Sequence, residues 1–377
     1  MNIPLSSPDI TEAEIAAVTA VLRTPQLCFG PELQAFESAL ATCVGAPEAV
    51  AVSSGTAGLH LALIALGIGD GDEVIAPSFA FIAIANTLHQ VGATPVFVEI
   101  DPLTLNLDPA AVEQAITSRT KAILAVHTFG VPAAMDRLLE IARRHHLRLI
   151  EDACEALGGE FGDGENKQRC GSFGDLAVFG FYPNKQITTG EGGAIIAHDA
   201  ATAARLRSLR NQGVQPGSGW FSNAEQGYNY RLSDLACALG RVQLSRLEEI
   251  LELRRLAATR YDALLRATPG LLEAGLELPP LTLPRRTISW FVYVVRLPLG
   301  MTGETIKAAL AERGVAAGHY FAPIHQQPAW RQRVSARNAH LPLTESIAPR
   351  TLALPFFNRI TEAQQEAVAM ALRQTFA

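Results

Sequence analysis

The sequence lacks any apolar run of the roughly 18–20 residues that a helix needs to cross a bilayer. Its apolar content is high, 48% of 377 residues with a mean hydropathy of +0.16, but it is spread through many short segments. The opening stretch MNIPLSSPDITEAE has no basic region and no apolar region behind one, so no secretory signal is expected. There is no CxxC pair. The five cysteines, Cys28, Cys43, Cys154, Cys170 and Cys237, are odd in number and scattered, which argues against a disulfide framework and against a zinc site. A basic stripe is also missing: net charge is -6 and the pI about 5.9, so nothing is set out to hold nucleic acid phosphates. These absences leave a cytoplasmic protein with reduced thiols, without membrane or nucleic acid partners, and long enough for two domains.

What is present is alternation. Residues 11 to 23 and 31 to 43 read as amphipathic helices. From residue 48 onward, short apolar runs follow one another: AVAVSS, EVIAPS, TPVFVEI, KAILAVHT, LRLIEDA, LAVFGF and GAIIAH. Helical segments such as DPAAVEQAITS and VPAAMDRLLEIARRHH separate the early runs, the pattern of a largely parallel sheet with helices on both faces. The last two runs have no helix between them, so the sheet is expected to be mixed. From Ser233 a single long helical stretch is predicted, SDLACALGRVQLSRLEEILELRRLAATRYDALL, followed by a Pro-rich connection at 277 to 286. After it come a strand (SWFVYVVRL), a helix (TGETIKAALAERG), a loop (HYFAPIHQQPAW) and a final helix near 362 to 376. The expected fold class is α/β: a large domain over 1–245, including the N-terminal helices, with a mixed, mostly parallel sheet flanked by helices. A smaller α+β domain over 246–377 follows, reached through the long helix.

Four stretches carry chemistry. In SSGTAGLHLAL, residues 53 to 63, a strand runs into a helix through Gly55, and the free N–H groups of a first helical turn suit a phosphate. An ordinary capped helix reads the same way. GIGDGDE at 67 to 73 precedes a strand and so is not a dinucleotide loop. In APSFAFIAIAN, either Phe79 or Phe81 could cover a flat ligand at a strand end, or both could be core. In LRLIEDACEALGG, Asp152 closes an apolar strand, where a carboxylate wants either a cationic partner or a capping role; Glu155 is three residues on. In FYPNKQITTGEGG, Lys185 stands between apolar residues and Gly190, Gly192 and Gly193. Most lysines are surface charges, but partial desolvation turns a lysine into a nucleophile for carbonyl groups. His145 and His146 read as a solvated helix end rather than a metal pair, and no metal is expected.

Together the four ask for one ligand with a phosphate, a flat ring, a basic ring nitrogen for Asp152 and an aldehyde for Lys185. Pyridoxal 5'-phosphate (PLP) has all four, and a lysine Schiff base with an acidic partner for the pyridinium nitrogen marks its enzymes.

At this point the sequence resembles the DegT/DnrJ/EryC1/StrS sugar aminotransferases, fold type I PLP enzymes. The resemblance runs from FGPELQAFE through SSGTAGLHLAL, GDEVIAPSFAF, PVFVEID, EDACEALGG, GSFGD, KQITTGEGG and GYNYRLSDLACALG to HYFAPIHQQPAW and RTLALPFFNRITEAQ. It implies that Lys185 carries the cofactor, that Asp152 pairs with its ring nitrogen and that Phe81 stacks on its ring. It implies that Thr56 and Ala57 cradle the phosphate, and that Asn229 reaches the phosphate of a neighbouring subunit, making a homodimer with shared active sites. Glu155 stands where the family usually has Gln, His or Ser near the cofactor's phenolic oxygen. Gly180 stands where it often has a phosphate-binding serine. The implied reaction moves an amino group from glutamate or glutamine to a nucleotide-linked keto sugar. The HYFAPIHQQPAW loop is similar to that of members acting at C4 of a 4-keto-6-deoxy sugar. Tyr320, His325 and Arg231 are candidate substrate residues. A keto-inositol aminotransferase shares every cofactor motif, and a regulatory member without turnover is the other alternative; Lys185 and Asp152 count against the latter.

Overall fold

The computed structural model describes residues 2–215, 217, 222–333 and 340–376. The chain begins with α1 (Glu12–Leu22) and α2 (Pro31–Val44), then alternates β1 (Glu48–Val52), α3 (Gly55–Ala65), β2 (Glu73–Pro77), α4 (Ala83–Gln90), β3 (Thr94–Val98), α5 (Pro109–Ala115), β4 (Thr120–Val126), α6 (Met135–His145) and β5 (Arg148–Asp152). Two short strands, β6 (Glu160–Phe161) and β7 (Gln168–Arg169), precede β8 (Leu176–Gly180) and β9 (Gly193–Ala197). Next come α7 (Ala200–Leu209), α8 (Asp234–Ser245), α9 (Leu247–Ala267), β10 (Arg286–Thr287), β11 (Tyr293–Arg296), α10 (Gly303–Ala311), α11 (Pro342–Ile347), β12 (Thr351–Leu354) and α12 (Glu362–Gln374).

Seven strands make the central sheet in the order β1-β9-β8-β5-β4-β2-β3. All neighbours pair in parallel except β9, which runs against both β8 and β1. That is the mixed, mostly parallel sheet expected from two consecutive apolar runs without a helix between them. The strands are apolar on consecutive positions because helices cover both faces: Val50, Val52, Val178 and Ile195 enter one buried cluster, Ala49, Ala51, Phe179 and Ile196 another. GIGDGDE follows α3 and runs into β2 at Glu73, before a strand as expected. His145 ends α6 and His146 follows it in the left-handed conformation, φ 55°.

The long helix expected from Ser233 is two helices. Arg246 breaks the run, at φ −99° and ψ 7°. Its guanidinium pairs with Asp9 at 3.0 Å and Glu14 at 2.9 Å, both buried and both from the N-terminal segment. Local propensity favours one helix; a long-range ion cluster sets the bend. Beyond it, α9, α10 and α12 pack on the antiparallel pair β11–β12 in a second core. Ile3 belongs to that second core and bridges Val315, so the first residues pack with the C-terminal part. The sequence pattern did not bring out α7, β12 or the small β10-β6-β7 sheet, whose strands are two to four residues long where they are strands. Among the described residues no helix is long and apolar enough to cross a membrane.

Candidate active site

The parallel strands end on one side, and their C-terminal ends open into a pocket of about 680 Å³. β1 delivers Ser53 and Ser54, α3 begins at Gly55 and Thr56, β5 delivers Asp152, Cys154 and Glu155, and β8 delivers Gly180, Tyr182, Asn184 and Lys185. The C-terminal part closes it with Phe291, Tyr320 and Phe321.

Lys185 lies in the turn from β8 to β9. Its own N–H donates to Tyr182 O at 2.9 Å, and Thr189 N–H closes the turn onto Phe181 O at 3.0 Å. Gly190 takes φ +81°, which favours glycine. Gly193 must be glycine for a different reason: a Cβ there would meet the backbone of Ser54 and Gly55. Gly193 therefore lets the start of β9 lie against the start of α3. The lysine side chain is only 15% exposed. Its Nζ lies 3.9 Å from the centre of the Phe291 ring and 3.5 Å from Glu155 Oε1. Lys185 is thus no surface charge.

Glu155 is buried, and its Oε2 accepts Phe129 N–H at 2.8 Å. Burial pushes its carboxyl above the usual carboxylate range; Lys185 and the Phe129 N–H pull the other way without cancelling it. Asp152 is buried with Oδ1 on the N–H of Cys154 at 3.1 Å. Burial raises the Tyr320 phenol too, partly offset by a hydrogen bond with Asn184.

The structure gathers Thr56, Phe81, Asp152, Glu155, Lys185 and Tyr320 around one pocket. Between the two phenylalanines it decides plainly: Phe79 is fully buried against Phe129 and Phe321, and Phe81 is 59% exposed on the pocket wall. Other expected site residues lie elsewhere. Ala57 is buried, and its N–H is used by the cap of α3, donating to Ser54 Oγ at 3.0 Å, so the first-turn donors left for an anion are those of Gly55 and Thr56. His325 is buried between Ser78 (2.6 Å) and Glu345 (3.1 Å); it fastens its loop to the end of β2 and does not line the pocket. Arg231 donates to Asn211 Oδ1 at 3.1 Å, outside the pocket lining. Asn229 is exposed, also outside it, bridged to Asn211.

Phe291 was not evident from the sequence, where it sits in an ordinary strand pattern. Behind it stands Arg254 of α9, buried and, among the described residues, without a carboxylate partner: Nε donates to Trp290 O and Nη2 to Phe291 O, each at 2.9 Å, and Nη1 to Asn358 Oδ1 at 2.5 Å. Burial without an opposing charge lowers its pKa to about 10.

The donor set fits PLP. Lys185 can bond its aldehyde, Asp152 can meet its ring nitrogen, and the N-terminus of α3 offers phosphate donors beside a narrow cleft. In that cleft a Cβ on Gly55 would reach Cys154 Sγ at 2.9 Å.

A family model described as the DegT/DnrJ/EryC1/StrS aminotransferase family matches residues 8–373. The chain is 41% identical over 342 residues to GDP-perosamine synthase of Caulobacter vibrioides, covering 90% of this chain and 88% of that protein. Among solved structures, DesV of S. venezuelae superposes with a TM-score of 0.88 at 36% identity, covering 100% of this chain and 98% of the other. The PLP form of Spr1654 from Streptococcus pneumoniae, a candidate sugar aminotransferase, gives 0.91 at 27% identity, covering 100% and 99%. The chain therefore belongs to the DegT/DnrJ/EryC1/StrS family and is a PLP-dependent aminotransferase.

Proposed function

We propose that the protein transfers an amino group from glutamate or glutamine to a nucleotide-linked keto sugar, a 4-keto-6-deoxy sugar in particular. The observation that carries this reading is the placement of Lys185 Nζ between Glu155 and Phe291 in a pocket that also holds Asp152 and the start of α3. Bound PLP supplies an electron sink for breaking and making the bonds at the amino-bearing carbon. The protein does the rest. The Gly55 and Thr56 N–H groups and the α3 dipole hold the phosphate. Asp152 keeps the ring nitrogen protonated. Lys185 holds the cofactor at rest and, once released, takes and returns the proton at the substrate carbon. Phe81, Phe291 and Phe321 line that corner with apolar surface. The sugar is supported by the GDP-linked product named for the Caulobacter relative and by the HYFAPIHQQPAW resemblance, with Tyr320 lining the pocket.

The active form is a homodimer in the cytoplasm whose sites are shared. Asn229 is exposed and stands outside its own pocket, as a residue must if it is to reach a partner's phosphate. Two experiments test the reading. Amine-loaded enzyme is offered GDP- and dTDP-linked 4-keto-6-deoxy sugars and a keto-inositol, and return of the visible band is followed. Turnover of the inositol alone moves the assignment to cyclitols, and no response to any ketone or amino donor favours a regulatory protein. For the shared site, Asn229→Ala and Lys185→Ala subunits are mixed; hybrid dimers regain activity, and verified hybrids without activity rule out sharing.

A further inference from the structure

Glu155 is held in a way that its position alone does not require. One oxygen is fixed by the Phe129 N–H at 2.8 Å, which turns the other toward Lys185 Nζ at 3.5 Å. The two chain segments are also tied together behind the pair: Gln186, next to the lysine, donates Nε2 to the backbone carbonyl of Glu155 at 2.6 Å and to Ser289 Oγ at 2.8 Å. The face of Phe291 covers the amine. An amide at position 155 could accept the Phe129 N–H equally well, but it could not take up a proton.

We propose that Glu155 is the proton partner of Lys185: when the lysine is freed from the cofactor, its ammonium gives a proton to Glu155, and Glu155 returns it when the lysine is bound again. In the forward step one Nζ–H bond breaks, its electron pair stays on nitrogen, and one O–H bond forms on Glu155; nothing is oxidised or reduced. The inference rests on the assignment of Lys185 as the cofactor lysine.

Other groups facing this corner are unsuited to the exchange. Asp152 is committed to the ring nitrogen, and its charge makes Glu155 hold a proton more readily. Burial, with Asp152 beside it, pushes the Cys154 thiol well above its ordinary range. Burial likewise raises the Tyr320 phenol, so both stay protonated. Glu155 itself is raised by burial toward the range where a buried carboxyl can exchange with an amine.

The test uses holoenzyme and the variant Glu155→Gln, which keeps the size and the acceptor for Phe129. Borohydride first fixes the cofactor; its attachment to Lys185, read by peptide mass, secures the assignment on which the inference rests, and attachment elsewhere ends that assignment instead. The visible band of the lysine-linked cofactor is then titrated with pH. Loss of a carboxylate this close should lower the midpoint by about one unit or more, roughly a tenfold change in proton affinity. The single-turnover rate with glutamate should lose its dependence on an acidic group, and Glu155→Asp should recover part of it. An unchanged midpoint and an unchanged pH profile in Glu155→Gln overturn the proposal. Should the variants fail to fold or to keep the cofactor, infrared difference spectra of wild type on adding glutamate decide: a carboxylic acid band that appears and shifts with isotope-labelled glutamate residues supports it, and no carboxyl change refutes it.

Discussion

Glu151 and Glu155 lie four residues apart at the end of β5, both buried, and each meets a basic side chain. Their surroundings differ in kind. Glu151 accepts N–H groups from Gly171 (2.8 Å), Phe173 (2.7 Å) and Gly174 (2.7 Å) and faces His127 Nε2 at 3.0 Å. His127 in turn accepts the Ala133 N–H on Nδ1 at 3.0 Å, which puts its proton on Nε2. Burial would raise the Glu151 carboxyl, but the His127 and backbone hydrogen bonds outweigh it and hold it below the usual range. Among the described residues Glu155 has one backbone donor and a lysine, and the pocket lies open beside it. A saturated carboxylate fastens loops to a sheet; a half-satisfied one next to a cavity can exchange protons.

The largest expected effect is at the open pair. Lys185→Ala should lower the rate of amine loading from glutamate by about a thousandfold or more, read in single-turnover absorbance, while urea unfolding stays near wild type; near-normal loading would remove the pocket pair from the chemistry. Next is the sealed pair. Glu151→Ala leaves three backbone N–H groups without their acceptor, two of them buried, and should cost about 3–5 kcal/mol, read from the denaturant midpoint. Glu151 also predicts a pH response. Its folded pKa is depressed, so its contribution is present above the ordinary carboxylate range and is lost as pH falls through the folded value. Glu151→Gln should flatten the acid side of the stability curve, and an equally steep curve would show that Glu151 is not the group responsible.

Smaller effects test how the C-terminal part supports the open pair. Arg254→Met abandons the carbonyls of Trp290 and Phe291 and should cost about 2–3 kcal/mol, with a shift of the visible band as Phe291 moves from Lys185; a stability loss without any spectral change would confine Arg254 to folding. Smallest is Gly180→Ser. A Cβ there falls 3.3 Å from Cys154 Sγ and 3.5 Å from Cys154 Cβ, a tight fit in the cleft beside the start of α3. Cofactor should be lost severalfold faster in dialysis, a change of about 1 kcal/mol, and Cys154→Ala in the same chain should restore retention. Tighter retention in Gly180→Ser alone would mean that the missing hydroxyl is unreplaced.

The sequence by itself determined the seven strands of the sheet, the mixed pairing of the last two, and the placement of Asp152 and Lys185 at and after strand ends, where they line one pocket. It could do so because those signals are local: apolar runs of strand length, and polar residues placed where each run ends. The tertiary structure alone decided the rest. Which phenylalanine faces the pocket depends on Phe129 and Phe321, and the role of Ala57 depends on whether Ser54 caps α3. The fate of His325 depends on Ser78, 247 residues away. The bend at Arg246 depends on Asp9 and Glu14, and the ring over Lys185 depends on Arg254 holding the backbone before β11. Apart from the Ser54 cap, three residues from Ala57, each is set by contacts between segments far apart in the chain, whose partners no local pattern of residues specifies.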